Sequence, residues 1–346
     1  MREQRISGLV QLGLAMNTLA TTQQWPGYEC GISETEFNQF RAAELLASQK
    51  NGWFTIQEIR RALNNWSVAL EAQKVQDWLS KYTVTKEAKR VGIICAGNIP
   101  MVGLHDIICV LMSGHRAIIR LSSEDDVLIP ALLTVWKSFD PEITAWYEWV
   151  NGKLPSTDAV IATGSNNTQR YFEYYFSEKP HVFRGNRTSV AVLNGSETEE
   201  ELNALGTDVF AYFGLGCRSI SKVFLPQDFD LQRIFTALYS HHEIGQHNKY
   251  ANNYDYHRAL WMMNSEPILE NGFMILRETE ALHSPVATLY YEYYASRDAL
   301  HQKLNAISPQ LQCVVGKGYI PFGSSQSPEL TDYADDCDTM SFCLSL

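Results

Sequence analysis

The stretch VGIICAGNIP, residues 91–100, decides the fold class of this chain. Its first six residues form an apolar run of strand length, and the glycine, asparagine and proline that follow are turn residues. A helical pattern follows at 104–112 and stops at Gly114, and a second apolar run spans residues 117–121. Short apolar runs that alternate with helices predict a parallel sheet covered by helices.

The alternation continues along the chain, and before residue 90 the pattern is helical, with a capping box at Ser33–Glu36. Residues 122–125 are predicted to cap a helix that reaches Phe139. Further strands are predicted at 159–162, 182–183, 189–193, 221–225, near 274, at 287–290 and at 311–315, with a helix at 199–213. We therefore predict two α/β domains with open, largely parallel twisted sheets, preceded by an N-terminal helical segment. The expected divisions are residues 1–186, residues 187–320 and a C-terminal tail at 321–346.

Composition excludes several classes of partner. The 346 residues carry a formal net charge of -11, which argues against nucleic acid or an anionic membrane surface as a general partner. Seven cysteines without a CxxC pair indicate neither a zinc ribbon nor a disulfide framework. No apolar run reaches the length of a membrane span, and the N-terminus does not read as a signal peptide. We expect a reducing, cytoplasmic compartment.

A second stretch, FGLGCRSISKV at residues 213–223, carries the strongest candidate for chemistry. It sets Cys217 between a helical pattern and a strand pattern, after two glycines and directly before Arg218. Glycine lets a backbone approach a substrate closely, and a nearby cation lowers the pKa of a thiol toward the nucleophilic thiolate. Most free cysteines are small buried apolar residues, so the local sequence leaves both interpretations open.

Three predicted strand ends carry polar or glycine residues, at 97–98, 122–124 and 163–165. Each precedes a helix, whose N-terminus favours anions. Taken singly, each is a common cap or turn. Their repetition at successive strand ends favours a dinucleotide or thioester site, although the GxGxxG fingerprint is absent.

We predict no metal site. The segment HHEIGQH at 241–247 has the spacing HExxxH, which is one residue longer than the zinc motif requires. A histidine there stays open as a general acid or base. The aspartates at 335, 336 and 338 lack the glycine and glutamate of an EF-hand loop and are typical of a solvated acidic loop.

Four blocks follow the order of conserved blocks in the aldehyde dehydrogenase superfamily: CAGNIPM at 95–101, RLSSED at 120–125, TGS at 163–165 and GLGC at 214–217. More closely, residues 90–346 resemble the LuxC-like acyl-CoA reductases, the fatty acid reductase type. The resemblance implies an aldehyde-dehydrogenase-like fold. It also implies that the first domain binds a dinucleotide and that the second carries a nucleophilic cysteine.

Carried over residue by residue, the resemblance makes Cys217 the acyl-accepting thiol. It makes Asn98 a donor, together with the Cys217 backbone N–H, to the oxyanion that forms. It assigns cofactor binding to Arg120, Ser122 and Glu124 at the adenosine ribose, and to Thr163, Gly164 and Ser165 near the pyrophosphate and nicotinamide. An arginine and serines in place of a lone acidic residue suit a 2′-phosphate, which favours NADPH.

Two blocks depart from the superfamily pattern. Its Glu-Leu-Gly-Gly block, whose glutamate activates the hydrolytic water, corresponds here to FRGNR at 183–187, which has no carboxylate. Without that base an acyl-enzyme would be reduced by hydride rather than hydrolysed. Its Glu-x-Phe-Gly-Pro block corresponds to LHSP at 282–285 and lacks the glutamate. Charge alone nominates Arg184 or Arg187 for the anionic CoA.

The sequence therefore predicts NADPH-dependent reduction of an acyl-CoA to an aldehyde through an acyl-cysteine, with CoA as the leaving group. Two rivals remain. One is a cysteine-dependent acyltransferase or thioesterase without redox chemistry, and the other is a non-catalytic binding partner of an acyl-activating enzyme. An acyl-CoA or acyl-carrier substrate, an acyl-activating enzyme as partner and a homodimer are expected by analogy.

Overall fold

The computed structural model describes residues 2–83 and 87–346. Contacts between residues divide the chain into two compact units, Met1–Asn186 with Pro328–Leu346, and Arg187–Ser327. The end of the chain, which we expected as a tail from residue 321, thus joins the first unit from Pro328 onward. Hydrogen bonds explain this placement: the Trp78 indole N–H donates to the Tyr333 hydroxyl over 2.8 Å.

Helices come first in the chain, and the sequence patterns that predicted them are confirmed. The Ser33 hydroxyl accepts a hydrogen bond from the Glu36 N–H within a complete capping box, and Thr55 caps the next helix. These helices are α1 (Arg2–Thr21), α2 (Glu34–Lys50), α3 (Ile56–Ala69) and α4 (Ala72–Ser80).

The first sheet has five parallel strands in the order β3-β2-β1-β4-β5. Its elements are β1 (Arg90–Ile94), α5 (Leu104–Met112), β2 (Arg116–Arg120), α6 (Leu128–Phe139), β3 (Tyr147–Trp149), β4 (Ala159–Thr163), α7 (Asn166–Phe176) and β5 (His181–Arg184). Ile118, Val160 and Ala162 from the strands form one core cluster with Leu154 and Phe172. Because helices cover this sheet, its strands read as continuous apolar runs rather than alternating ones.

From the segment Ser122–Asp125, which was predicted to cap α6, Asp125 reaches the start of the helix through a hydrogen bond with the backbone of Leu128. The helix begins only at Leu128, after Val127, whose side chain makes no capping bond. The side chains of the segment have other acceptor roles: Ser122 Oγ accepts from the Glu124 N–H, and Asp125 Oδ2 accepts from the Met101 N–H.

The second unit contains a six-stranded sheet in the order β11-β6-β7-β10-β9-β8, parallel except for β8 against β9. Its elements are β6 (Thr188–Val192), α8 (Glu199–Phe210), β7 (Ile220–Pro226), α9 (Gln232–Leu238), α10 (Asn248–Met263), β8 (Leu269–Glu270), β9 (Ile275–Glu278), β10 (Thr288–Tyr294), α11 (Arg297–Ile307) and β11 (Leu311–Gly316). The final helix, α12 (Thr339–Leu344), returns to the first unit. The predicted fold class, two largely parallel sheets after an N-terminal helical segment, is confirmed. Among the described residues, no helix combines the length and apolar character that crossing a membrane requires.

A buried ion pair ties three elements of the first unit together. Arg184 at the end of β5 donates from Nη1 to both carboxylate oxygens of Asp106 on α5, at 2.7 and 2.6 Å, and from Nη2 to Thr339 Oγ1 of α12 at 2.7 Å. The Arg184 and Asp106 side chains are only 4% and 8% exposed. Arg184 is therefore committed to this ion pair, and its nomination as a contact for CoA was wrong.

We predict that Arg184→Met lowers the free energy of unfolding by about 3–5 kcal/mol, because it leaves the Asp106 carboxylate buried without its counter-ion. The matched control is Arg90→Met, since Arg90 pairs with Glu148 and their side chains are 42% and 52% exposed; its expected cost is about 0–1 kcal/mol. Urea unfolding of both variants measures the difference. Equal losses in the two variants would contradict the structural role of the buried pair.

Candidate active site

A groove with a volume of about 750 Å³ lies along the carboxyl edge of the first sheet. Residues that follow β1, β2, β3 and β4 line it, among them Ala96, Ser122, Asn151 and Gly164. The chain passes from β1 to β2 on one side and later returns to place β4 on the other side. In open parallel sheets, ligands bind at the edge where the strand order reverses in this way.

Four of the predicted cofactor residues line this groove: Arg120, Ser122, Thr163 and Gly164. The other two, Glu124 and Ser165, are exposed and are not among its lining residues. Ser165 caps α7 by accepting the Thr168 N–H over 3.3 Å. The parallel sheet thus brings together side chains that the sequence placed at separate strand ends.

The turn after β1 carries Asn98 and packs directly on the segment after β2. A Cβ atom at Gly97 would lie 2.7 Å from Ser122 Oγ and 2.8 Å from Ser122 Cβ, closer than real contacts allow. Glycine is therefore required at this position. Asn98, the predicted oxyanion donor, is exposed on the same turn.

Asp125 holds that turn through a hydrogen bond. Its Oδ2 accepts the Met101 N–H over 2.6 Å, and Met101 is a buried, non-glycine residue with φ of 59°. Left-handed backbone at such a residue persists only where its surroundings enforce it. Asp125 is 3% exposed, and burial raises its pKa to about 7.

In the second unit, Cys217 follows a turn with three consecutive left-handed residues. Helix α8 was expected to reach residue 213, but it ends at Phe210 because Tyr212 and Phe213 have φ of 53° and 57°, before Gly214 at 76°. Phe213 is buried, and its ring lies 4.3 Å from the His247 ring. Backbone strain of this kind is held by packing and concentrates at functional sites.

Hydrogen bonds fix the backbone around Cys217 itself. Ser189 of β6 donates from Oγ to the Cys217 carbonyl over 2.9 Å. The Ser219 N–H closes the turn onto the Gly216 carbonyl over 3.0 Å. Cys217 is therefore a partly exposed residue on a hydrogen-bonded turn just before β7.

Several other cysteines are unsuited to nucleophilic chemistry. Burial raises the thiol pKa of Cys95 and Cys109, and it raises that of Cys343 to about 12. The pKa of Cys337 is raised as well, again mainly by burial. Because the thiolate is the nucleophile, these four thiols are largely inactive at neutral pH.

Arg218, proposed from the sequence to activate the thiol, has a defined contact. Its Nη1 donates to the Ser325 carbonyl over 3.3 Å. Within residues 2–83 and 87–346, no three or more His, Cys, Asp or Glu side chains are grouped so that they could hold a metal ion. In the 241–247 segment, His247 caps α10 instead.

Comparison with known families identifies the chain. Residues 53–241, more than half of the protein, match the family described as acyl-CoA reductase (LuxC), and this match includes Asn98, the groove and Cys217. The chain belongs to the LuxC acyl-CoA reductase family. It is therefore an oxidoreductase, and the resemblance drawn from its sequence blocks is confirmed.

Solved structures with a similar fold are aldehyde dehydrogenases. Aldehyde dehydrogenase 21 from Physcomitrella patens, in complex with the reaction product succinate, aligns with a TM-score of 0.65 at 9% identity over 99% of this chain and 85% of its own. The Mycobacterium tuberculosis enzyme complexed with NAD+ aligns with a TM-score of 0.57 at 14% identity over 90% and 72%. No curated protein sequence matches this LuxC family chain significantly.

The structure also shows supporting residues that sequence reasoning missed. One is Ser189, which holds the Cys217 carbonyl, and another unanticipated contact is the bond from the Met101 N–H to Asp125. Ser189 lies inside strand β6, where serine is unremarkable. No local signal marks these contacts, because they depend on partners distant in sequence.

We predict that the stability of this LuxC family protein falls as pH rises from about 4 to 7 partly because of Asp125. The folded chain keeps this proton up to about pH 7, whereas the unfolded chain loses it near the usual 3.8, so the unfolded state binds fewer protons across that window. Asp125→Asn should flatten this part of the profile, measured by urea unfolding between pH 4.5 and 7.5. The control is Asp77→Asn, at an exposed carboxylate, which should keep the wild-type slope. An unchanged slope in Asp125→Asn would refute the assignment.

Proposed function

We propose that this LuxC family protein reduces an acyl-CoA to the aldehyde, with NADPH as the reductant and Cys217 as the nucleophile. The observation that carries the proposal is the Cys217 turn: a partly exposed thiol on backbone fixed by Ser189 and by three left-handed residues. Family membership supports the reaction type. The first unit would bind the nucleotide and the second would hold the acyl group.

The groove of the first unit suits a dinucleotide. It lies at the point where the strand order reverses, and the side-chain-free Gly97 lets two of the turns that border it pack in direct contact. Thr163 and Gly164 lie just before the N-terminus of α7, which favours phosphate. Three of the similar aldehyde dehydrogenase structures contain NAD+. We assign the adenosine ribose to Arg120, Ser122 and Glu124, and the pyrophosphate and nicotinamide to Thr163, Gly164 and Ser165.

The proposed chemistry begins with attack of the Cys217 thiolate on the thioester carbon, which forms the Cys217 acyl bond and breaks the bond to CoA. CoA leaves as its thiolate and takes up a proton. The family resemblance nominates Asn98 and the Cys217 N–H as donors to the oxyanion, which would lower the barrier for this step. The bound nicotinamide would supply the hydride that turns the acyl-cysteine into a thiohemiacetal, which then releases the aldehyde and the free thiol.

The segment corresponding to the hydrolytic glutamate favours reduction over hydrolysis. It contains no carboxylate that could activate a water molecule, and the side chain of Arg184 is held by its ion pair with Asp106. An acyl-cysteine without a neighbouring base to activate water persists long enough for reduction. We further propose a homodimer in the cytoplasm, supplied with its acyl group by CoA, an acyl carrier or an acyl-activating enzyme.

We expect Cys217→Ala to abolish both acyl-CoA-dependent NADPH oxidation and covalent acyl labelling, because the alanine has no atom to accept the acyl group. Absorbance at the NADPH band and mass spectrometry of the intact protein measure the two effects. Cys30→Ala, which alters another partly exposed cysteine, should retain both activities.

The same experiment separates the rival functions. Labelling of the wild type without NADPH oxidation would indicate an acyltransferase or thioesterase. A wild type that is neither labelled nor active would indicate a binding protein. Full turnover by Cys217→Ala would show that the proposal is wrong.

We expect Arg120→Gln to lower kcat/KM for NADPH by about 10- to 100-fold, in line with about 1.5–3 kcal/mol for a hydrogen bond to a charged group, and to leave NADH nearly unaffected. Arg120 ends β2 in the groove, whereas Arg116 begins the same strand at its opposite end. Arg116→Gln is therefore the control and should preserve the cofactor preference. Steady-state kinetics with both cofactors give the result, and a wild type that prefers NADH would refute the NADPH assignment.

A further inference from the structure

A loop near the end of the second unit, residues 323–326, contacts the Cys217 turn from the side of β7. Arg218 Nη1 donates to the Ser325 carbonyl over 3.3 Å, and Gln326 Nε2 donates to Ser219 Oγ over 3.2 Å. These contacts involve the two residues that directly follow Cys217. Movement of the loop would therefore move the backbone of the nucleophile.

Asp208 of α8 holds this loop in place. Its two carboxylate oxygens accept two backbone N–H groups, that of Gly323 over 2.6 Å and that of Ser325 over 2.8 Å. Asp208 is fully buried, and the loop lies directly on the helix: a Cβ at Gly323, whose φ is 83°, would lie 3.1 Å from Ala204 Cβ. Two bonds to one rigid carboxylate set both the position and the orientation of the loop.

Asp208 also lies close along the chain to the turn that carries Cys217. It lies on the last turn of α8, directly before the left-handed residues that lead to Cys217. The chain that enters the Cys217 turn and the loop that contacts the residues after it are thus anchored at one helix end. A buried carboxylate carries a desolvation cost, which here raises the pKa of Asp208, and its two backbone bonds offset that cost.

We propose that Asp208 is a positioning residue for the nucleophile: it holds loop 323–326, and the loop holds Arg218 and Ser219 so that Cys217 keeps its reactive geometry. Asp208 itself touches no reacting atom. The inference rests on the proposed role of Cys217. Displacement of a nucleophile by about 1 Å can cost on the order of 100-fold in rate. Loss of the Asp208 bonds to the loop should therefore lower the rate measurably.

The test is Asp208→Asn, which keeps the side-chain volume and one acceptor oxygen but turns an N–H donor toward one of the two backbone N–H groups. We expect kcat to fall by about 10- to 100-fold with KM nearly unchanged. We also expect the rate of Cys217 alkylation by iodoacetamide, followed by mass spectrometry of its peptide without cofactor or substrate, to fall at least severalfold. Asp230→Asn is the matched control, because Asp230 is an exposed carboxylate in the same unit that accepts the Gln232 N–H over 2.9 Å, and it should change neither rate.

A purely structural role would lower the unfolding midpoint of Asp208→Asn and leave kcat and the alkylation rate of the folded protein at wild-type values; that result overturns the proposal. If Asp208→Asn does not fold, Gln326→Leu decides the question. It removes the contact with Ser219 without changing charge near the thiol, and unchanged kcat and alkylation in this variant would overturn the proposal equally.

The proposed function and the role of Asp208 can fail separately. A wild type that does not reduce acyl-CoA, but whose Cys217 alkylation still depends on Asp208, would refute the proposed function and support the positioning role of Asp208.

Discussion

All strands of a parallel sheet end at the same edge, and the candidate nucleotide groove of this protein depends on that constraint. The turns after β1, β2 and β4 are separated along the chain by whole helices, yet they line one groove. The contact of Gly97 with Ser122 shows how close the first two turns come. The topology of the sheet therefore creates the groove, and individual side chains only line it.

Buried aspartates hold the segments that the sheets bring together. Asp106 binds Arg184, Asp125 binds the Met101 N–H, and Asp208 binds two N–H groups of loop 323–326. Each carboxylate joins parts of the chain that are distant in sequence. A buried carboxyl group is costly unless it is hydrogen-bonded, so each of these links favours one arrangement of its partners.

The shape of the Cys217 turn depends on its backbone conformation, whereas the groove depends on the topology of the sheet. The turn lies at the amino end of β7 and its shape comes from strained backbone, with Tyr212 and Phe213 left-handed and the Phe213 ring packed on His247. Ser189 adds a bond from a neighbouring strand. Packing and hydrogen bonding thus hold a conformation that the local sequence disfavours.

The sequence by itself determined the fold class and the family. Apolar runs and caps predicted most strands and helices, and the blocks around Asn98 and Cys217 indicated the family, because periodicity, turn chemistry and short motifs are local properties. Prediction from the sequence failed where the contacts of a side chain are with residues distant in sequence. Asp125 also binds the Met101 N–H, Arg184 was one of two arginines nominated for CoA but pairs with Asp106, and α8 was expected to reach residue 213 but ends at Phe210. Only the tertiary structure decided which polar groups meet, since hydrogen bonds and ion pairs in a buried interior are set by how the chain returns on itself.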